Sequence, residues 1–200
     1  FFGDQNGFDA VVGNPPYIES EIMVDKMPEV RDYLSNSGRY ESTSGNWDMF
    51  IPFMDLSVQK INTGGLSSYI VPNKWLSISY GEKIREIMRS RLRKLRDYSS
   101  VRVFGDVGAF PVIYISSKEE NEGQIDVQSY LEKDKLDFEN IVEKKALEKF
   151  PHFGPLISEE FPLLRQLVED NSRMEQLMDV EEPFTVSEAY ELKPIVKEAE

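Results

Sequence analysis

The sequence predicts an α/β fold with a mostly parallel sheet, on three observations. Short apolar runs at residues 8–12 and 66–71 each give way to loop chemistry, Gly-Asn-Pro-Pro after the first and Pro-Asn-Lys after the second. Between them Trp47, Phe50, Ile51, Met54, Val58 and Ile61 recur at helical spacing. Strand, helix and strand in that order imply a right-handed crossover and parallel pairing. A further apolar run at 112–116 follows a strand-like segment at 98–104 after so short a link that the two must pair antiparallel. The expected architecture is a mostly parallel sheet with a terminal antiparallel hairpin, followed by a helical α+β extension. The boundary is placed between a sheet-bearing part, residues 1–117, and an acidic extension, residues 118–200.

Residues 3–7 are polar and turn-rich, and 8–12, apolar or small apart from Asp9, fit a strand buried on both faces. Gly13 ends it. In Asn14-Pro15-Pro16-Tyr17 each proline fixes its own φ and pushes the preceding residue out of the helical region, so the loop is stiff. Its carbonyls stand as acceptors beside the Asn14 amide, and Tyr17 adds a flat aromatic face. Residues 19–45 read as a mobile polar region with one short helix around 28–34. Asn46 or Ser44 caps the helix that follows, Pro52 kinks it or moves its start, and Asn62-Thr63-Gly64-Gly65 stops it. Residues 72–75 leave the second strand on the same carboxyl rim as residues 14–17, where ligands of such sheets bind. Ile84, Ile87, Met88, Leu92 and Leu95 mark a helix that carries a cluster of Lys and Arg outward. That cluster reads either as a phosphate-facing strip or as a solvated face paired with Glu82 and Glu86. In the extension, 125–131 alternate like a strand; Phe138, Ile141, Val142, Leu147 and Phe150 suggest a helix opened by Asp137; His152 sits in an exposed loop; and 161–167 read as helix.

With 40% hydrophobic residues in 200, the chain can build a core. It has no cysteine and one histidine, which argues against disulfides and a zinc centre, so no metal is expected. No apolar run approaches a membrane span, and the cytoplasm is the expected compartment. The net charge of −13 argues at first against nucleic acid, but the acid lies downstream. Residues 118–200 carry 22 acidic and 10 basic side chains, against 14 and 13 in residues 1–117.

Acceptors held rigidly beside an aromatic face suit a planar group bearing an NH2, because hydrogen bonds from that amine draw its lone pair out of conjugation and make the nitrogen nucleophilic. Asn-Pro-Pro-Tyr after a hydrophobic strand resembles the catalytic motif of S-adenosylmethionine-dependent amino-methyltransferases, above all the adenine-N6 DNA methyltransferases of type II restriction–modification systems. The Gly-Gly-Leu…Ile-Val-Pro-Asn-Lys-Trp and Val-Phe-Gly-Asp…Phe-Pro-Val-Ile-Tyr-Ile runs carry the same resemblance, which covers residues 8–117. It implies the second half of a Rossmann-like methyltransferase sheet, with S-adenosylmethionine as cofactor and double-stranded DNA with a flipped adenine as partner. It assigns catalysis to Asn14, Pro15, Pro16 and Tyr17, and contact with the cofactor to Asn14 and Pro15. Stacking on the target base falls to Tyr17 and Phe104, with Phe110 as second choice, and DNA phosphates to Lys74, Arg89 and Arg93.

The family's Phe/Asp-x-Gly-x-Gly cofactor loop is not found, and thirteen residues precede Asn14, so an internal fragment of a longer enzyme is expected. Such a chain alone should be inactive, should bind S-adenosylmethionine weakly, and should expose a sheet edge open to pairing with a second copy. Residues 184–190 resemble the start of a target-recognition region. Two other readings remain open: a protein-glutamine or RNA amino-methyltransferase, which share the motif or close variants of it, and a non-catalytic binding module.

Overall fold

A computed structural model describes residues 7–103, 110–120 and 123–170. The first strand, β1 (Phe8–Gly13), is followed by helices α1 (Ser20–Lys26), α2 (Pro28–Asn36) and α3 (Phe50–Lys60). Strand β2 (Ile61–Pro72) runs into two 3₁₀ turns, Asn73–Leu76 and Ser79–Gly81, then α4 (Glu82–Arg89), β3 (Leu92–Asp97) and β4 (Pro111–Ser117). The remainder comprises β5 (Gln124–Glu132), β6 (Lys135–Glu143), α5 (Lys144–Leu147), a 3₁₀ turn at Gly154–Ile157, and α6 (Phe161–Asp170). The compact unit that carries the sheet ends at Arg165.

The six strands lie in the order β1-β2-β4-β3-β5-β6. Strand β1 pairs parallel with β2, and β3 with β5, whereas β4 is antiparallel to both its neighbours and β6 to β5. Four strands therefore share one direction and two are reversed, so the α/β class stands but the sheet is mixed. The reversed strand β4 is not terminal: it sits inside the sheet between β2 and β3, and the terminal hairpin is β5–β6. The expected boundary at residue 117 falls between β4 and β5, two strands of this same sheet.

Several elements differ from the sequence reading for identifiable reasons. Leu92 and Leu95 belong to β3, not to the helix, because α4 ends at Arg89. A register shift between Leu92 and Lys94 lets both leucines face the core although they are three residues apart, a spacing that imitates a helix. The expected strand at 98–104 is displaced accordingly to 92–97. Residues 135–143 form β6 rather than a helix, with Lys133 and Asp134 turning the hairpin and Asn140 and Val142 buried at strand spacing. Residues 20–36 hold two helices where one short one was expected. Pro52 moves the start of α3: it lies in the first turn, where its missing N–H is no loss. Neither Asn46 nor Ser44 caps that helix, which has Met49 at its N-cap and no side-chain cap bond. Strand β1, expected to be buried on both faces, is the edge strand, with Val12 80% and Phe8 43% exposed.

The core that supports the carboxyl rim is aromatic. Trp75, wholly buried in the turn after β2, lies edge-on to Tyr114 of β4 at 6.3 Å and to Phe153 at 5.9 Å. Fully burying an apolar side chain contributes roughly 1.5–3 kcal/mol, a gain reduced at Trp75 by a buried indole N–H that has no hydrogen-bond partner among the described residues. The α4 arginines are not carried outward. Arg85, 2% exposed, donates to the carbonyls of Trp75, Ile78 and Pro151 at 2.8, 2.7 and 3.1 Å. Arg89 donates to the carbonyls of Leu147 and Phe150 and lies 5.2 Å over the Phe153 ring. These two side chains fasten residues 147–153 beneath the rim.

Candidate active site

Strand β1 delivers residues 14–17 at its carboxyl end, beside the carboxyl end of β2 because the two strands are parallel with Gly13 opposite Tyr69. A Cβ on Gly13 would stand 3.0 Å from the Tyr69 ring, so the residue before Asn14 is small to let that ring lie close. Pro15 is buried, whereas Asn14 and Pro16 are exposed. Among the described residues no hydrogen bond engages the Asn14 amide. Tyr17, half-buried, donates its hydroxyl to the Ile70 carbonyl of β2 at 3.0 Å. Burial raises its pKa to about 12, so it remains a donor throughout the neutral range. The ring is thereby fixed against the sheet, with one polar end used.

Downstream, the loop is tied to the start of α3 and to the turns after β2. The Ile18 carbonyl accepts the Met49 N–H at 2.9 Å, and Asp48 Oδ1 accepts the Ser20 N–H at 3.0 Å. Asp48 Oδ2 accepts the Tyr80 hydroxyl at 2.6 Å, and burial first, then this bond, pushes the Tyr80 pKa upward. Lys74 Nζ lies 2.7 Å from Glu19 Oε1 and 4.0 Å from Asp48 Oδ2. Hydrogen bonding within this pair lowers the Glu19 pKa and raises that of Lys74. Both members are about half exposed, so the pair adds at most about 1 kcal/mol. Asp48 and Tyr80 escape sequence reasoning. The available signal is a lone acid inside the apolar run Trp47-Asp48-Met49-Phe50, a place where a carboxylate needs donors.

Further along the rim, the Asn73 N–H donates to the Phe110 carbonyl at 2.7 Å and its side chain to Ser99 Oγ at 3.0 Å. A cavity of about 390 Å³ opens there, lined by Ile70, Tyr98, Arg102, Ile113 and Lys133 among others, and Tyr98 stacks on Tyr130 at 4.7 Å. Ile70 belongs both to this cavity and to the Tyr17 tether. Phe104 lies outside the described residues; Phe110 is at the rim, 59% exposed. Of the basic candidates, Lys74 stands beside the loop. Arg89 is engaged beneath it, as described above. Arg93, half-buried on β3, keeps its Nε away from solvent with no hydrogen-bond partner among the described residues.

A stiff Asn-Pro-Pro-Tyr loop at the carboxyl end of one parallel strand, beside the Pro-Asn-Lys-Trp turn of the next, coincides with the match of the Eco57I restriction-modification methylase family model to residues 1–104. The chain belongs to the Eco57I restriction-modification methylase family. Among its relatives, the Type II methyltransferase M.PaeR7I of Pseudomonas aeruginosa is 34% identical over 115 residues, 56% of this chain and 19% of that protein. The Type II restriction enzyme and methyltransferase RM.Eco57I of Escherichia coli is 28% identical over 117 residues, 58% of this chain and 12% of that one. The chain thus spans less than a fifth of these relatives' length. In fold it is similar to the type IIG restriction endonuclease BpuSI, with a TM-score of 0.56 at 16% identity over 82% of this chain and 22% of that one. The methyltransferase subunit of a type I restriction–modification system from Streptococcus thermophilus gives 0.51 at 13% identity, covering 75% of this chain and 38% of that one.

Proposed function

We propose that this chain carries the catalytic loop of a DNA methyltransferase that moves a methyl group from S-adenosylmethionine to the N6 amine of adenine. The observation that carries the reading is the state of Asn14. Its amide is exposed and uncommitted at the end of β1, while the residues that follow it are tied down by Ile70, Asp48, Met49 and Lys74. An acceptor held in place before the substrate arrives avoids the ordering cost at the moment of reaction.

In this reading the target base leaves the duplex, because its amine cannot reach a pocket while stacked. The Asn14 side-chain oxygen and the Pro15 carbonyl each accept one N–H of that amine, which localises its lone pair. Tyr17, its hydroxyl already bonded to β2, offers the base a ring that does not have to be reoriented. S-adenosylmethionine, when bound, supplies an electrophilic methyl group. Asn14 and Pro15 would serve as acceptors toward the methionine part of that cofactor. In this reading Lys74, half-exposed beside the loop, exchanges Glu19 for a DNA phosphate, with Arg93 as a second candidate.

The test uses the full-length enzyme with labelled S-adenosylmethionine, offered unmethylated duplex DNA, RNA or release factor, followed by nucleoside analysis of the labelled product. N6-methyladenine is expected, and Asn14→Ala abolishes it. Label in cytosine, in RNA or in a protein glutamine overturns the substrate; full transfer by Asn14→Ala overturns the role of the loop.

A further inference from the structure

The loop that presents Asn14 is fixed upstream by the pairing of β1 with β2, and two of its downstream tethers come from a single dipeptide, Asp48-Met49. Asp48 is 6% exposed, and two donors from separate elements converge on it, the Ser20 N–H at the start of α1 and the Tyr80 hydroxyl from the turn at Ser79–Gly81, while the Lys74 ammonium from the turn at Asn73–Leu76 stands 4.0 Å away as an ion-pair partner. The carboxylate meets the two donors with one oxygen each; a side-chain amide could keep its oxygen on the Ser20 N–H but would reverse the bond to the Tyr80 hydroxyl, which would then have to accept. A carboxylate this deep costs stability unless it is hydrogen-bonded, and here each oxygen accepts one hydrogen bond. Glu19, at the N-cap of α1, makes no cap bond, since its carboxylate is engaged by Lys74. Asp48 satisfies the first N–H of α1 from another element instead, and so fixes the point at which the loop ends.

We infer that Asp48 is a positioning residue for the loop at residues 14–17: through Ser20 and Tyr80 it sets where Asn14 and Tyr17 stand relative to the carboxyl end of β2. It acts on the loop and touches no substrate. The inference rests on the methyl transfer proposed above.

The test measures kcat and KM for DNA separately in the full-length enzyme, with labelled S-adenosylmethionine, unmethylated duplex DNA and a thermal midpoint for each variant. Asp48→Ala lowers kcat about 100-fold, the scale of a misplacement near 1 Å, while KM for DNA changes little. Asp48→Asn, which keeps an acceptor for Ser20, restores part of the rate, and Tyr80→Phe, which removes one donor, gives a smaller loss. Wild-type kcat in Asp48→Ala, or a loss that appears in KM for DNA with kcat retained, overturns the inference. Should Asp48→Ala melt below the assay temperature, wild-type kcat in both Asp48→Asn and Tyr80→Phe overturns it. Asn14→Ala in the same assay separates the two claims. Its full activity rejects the function proposed for the loop, whereas its inactivity beside unaffected Asp48 variants rejects only the positioning role.

Discussion

Tyr17 shows how much of the Asn-Pro-Pro-Tyr loop is decided by one atom. The sequence offers its ring as a stacking face, and the structure adds that the hydroxyl donates to the Ile70 carbonyl. Tyr17→Phe keeps the ring and loses one partly buried hydrogen bond, so chemical denaturation should show a loss of about 1 kcal/mol, with methyl transfer only mildly reduced. Tyr17→Ala removes the ring as well and should lower the rate far more; equal rates for the two variants would rule out stacking as its contribution. The pH dependence has a definite sign. The folded-state pKa of Tyr17 is raised from 10.0 to about 12, so its contribution is complete below pH 10 and is lost as pH rises toward 12. Alkaline titration followed by phenolate absorbance should show this loss in the wild type and a smaller one in Tyr17→Phe.

Among the elements, the turns after β2 carry the tightest constraint. Gly81 closes the turn at Ser79–Gly81, and a Cβ placed there would stand 2.5 Å from the Trp75 carbonyl oxygen, a backbone atom that cannot swing aside. Gly81→Ala should therefore lower stability by roughly 1–3 kcal/mol, measured by thermal unfolding, although nothing in its backbone conformation requires glycine. An unchanged midpoint would show that the Trp75 turn yields. The same turn carries Tyr80, so displacement here reaches Asp48 and, through Ser20, the loop at residues 14–17. Strand β3 illustrates the opposite case, in which local pattern misleads. Met88, Leu92 and Leu95 fall at helical intervals, and only pairing with β4 and β5, with its register shift, makes the last two a strand.

At the scale of the whole molecule, the extension is part of the scaffold of the site. Strand β5 joins β3 in the sheet, and residues 147–153 are fastened under the rim by Arg85 and Arg89. This bears on how the basic cluster divides. Lys74→Ala in the full-length enzyme should reduce the slope of log affinity for DNA against log salt by about 1, as loss of one phosphate contact does. Arg89→Ala should leave that slope unchanged and instead lower stability by roughly 1–3 kcal/mol, because two carbonyls lose their donor. A shallower slope for Arg89→Ala would return it to the phosphate-binding set.

The residues of the loop, the helix at 50–60, the strands at 66–71, 112–116 and 125–131 and the helix that starts at 161 were all legible in the chain, because each is dictated over a few residues by proline geometry, periodicity or alternation. The stiff loop of Asn14, Pro15, Pro16 and Tyr17 was readable for the same reason: two prolines restrict the backbone locally. Tertiary structure alone decided what holds that loop. The partners of Tyr17 and Asp48 lie 53 residues away for Ile70, and 28 and 32 for Ser20 and Tyr80, and no local pattern announces them. It also decided that β4 enters between β2 and β3, and that residues 135–143 are a strand, since both depend on which backbone groups remain to be paired once the rest of the sheet has formed. Side chains such as Arg85 and Arg89, charged and therefore expected outside, are drawn inward for that reason too: folding leaves carbonyls without donors at the ends of turns and helices, and a guanidinium satisfies several at once.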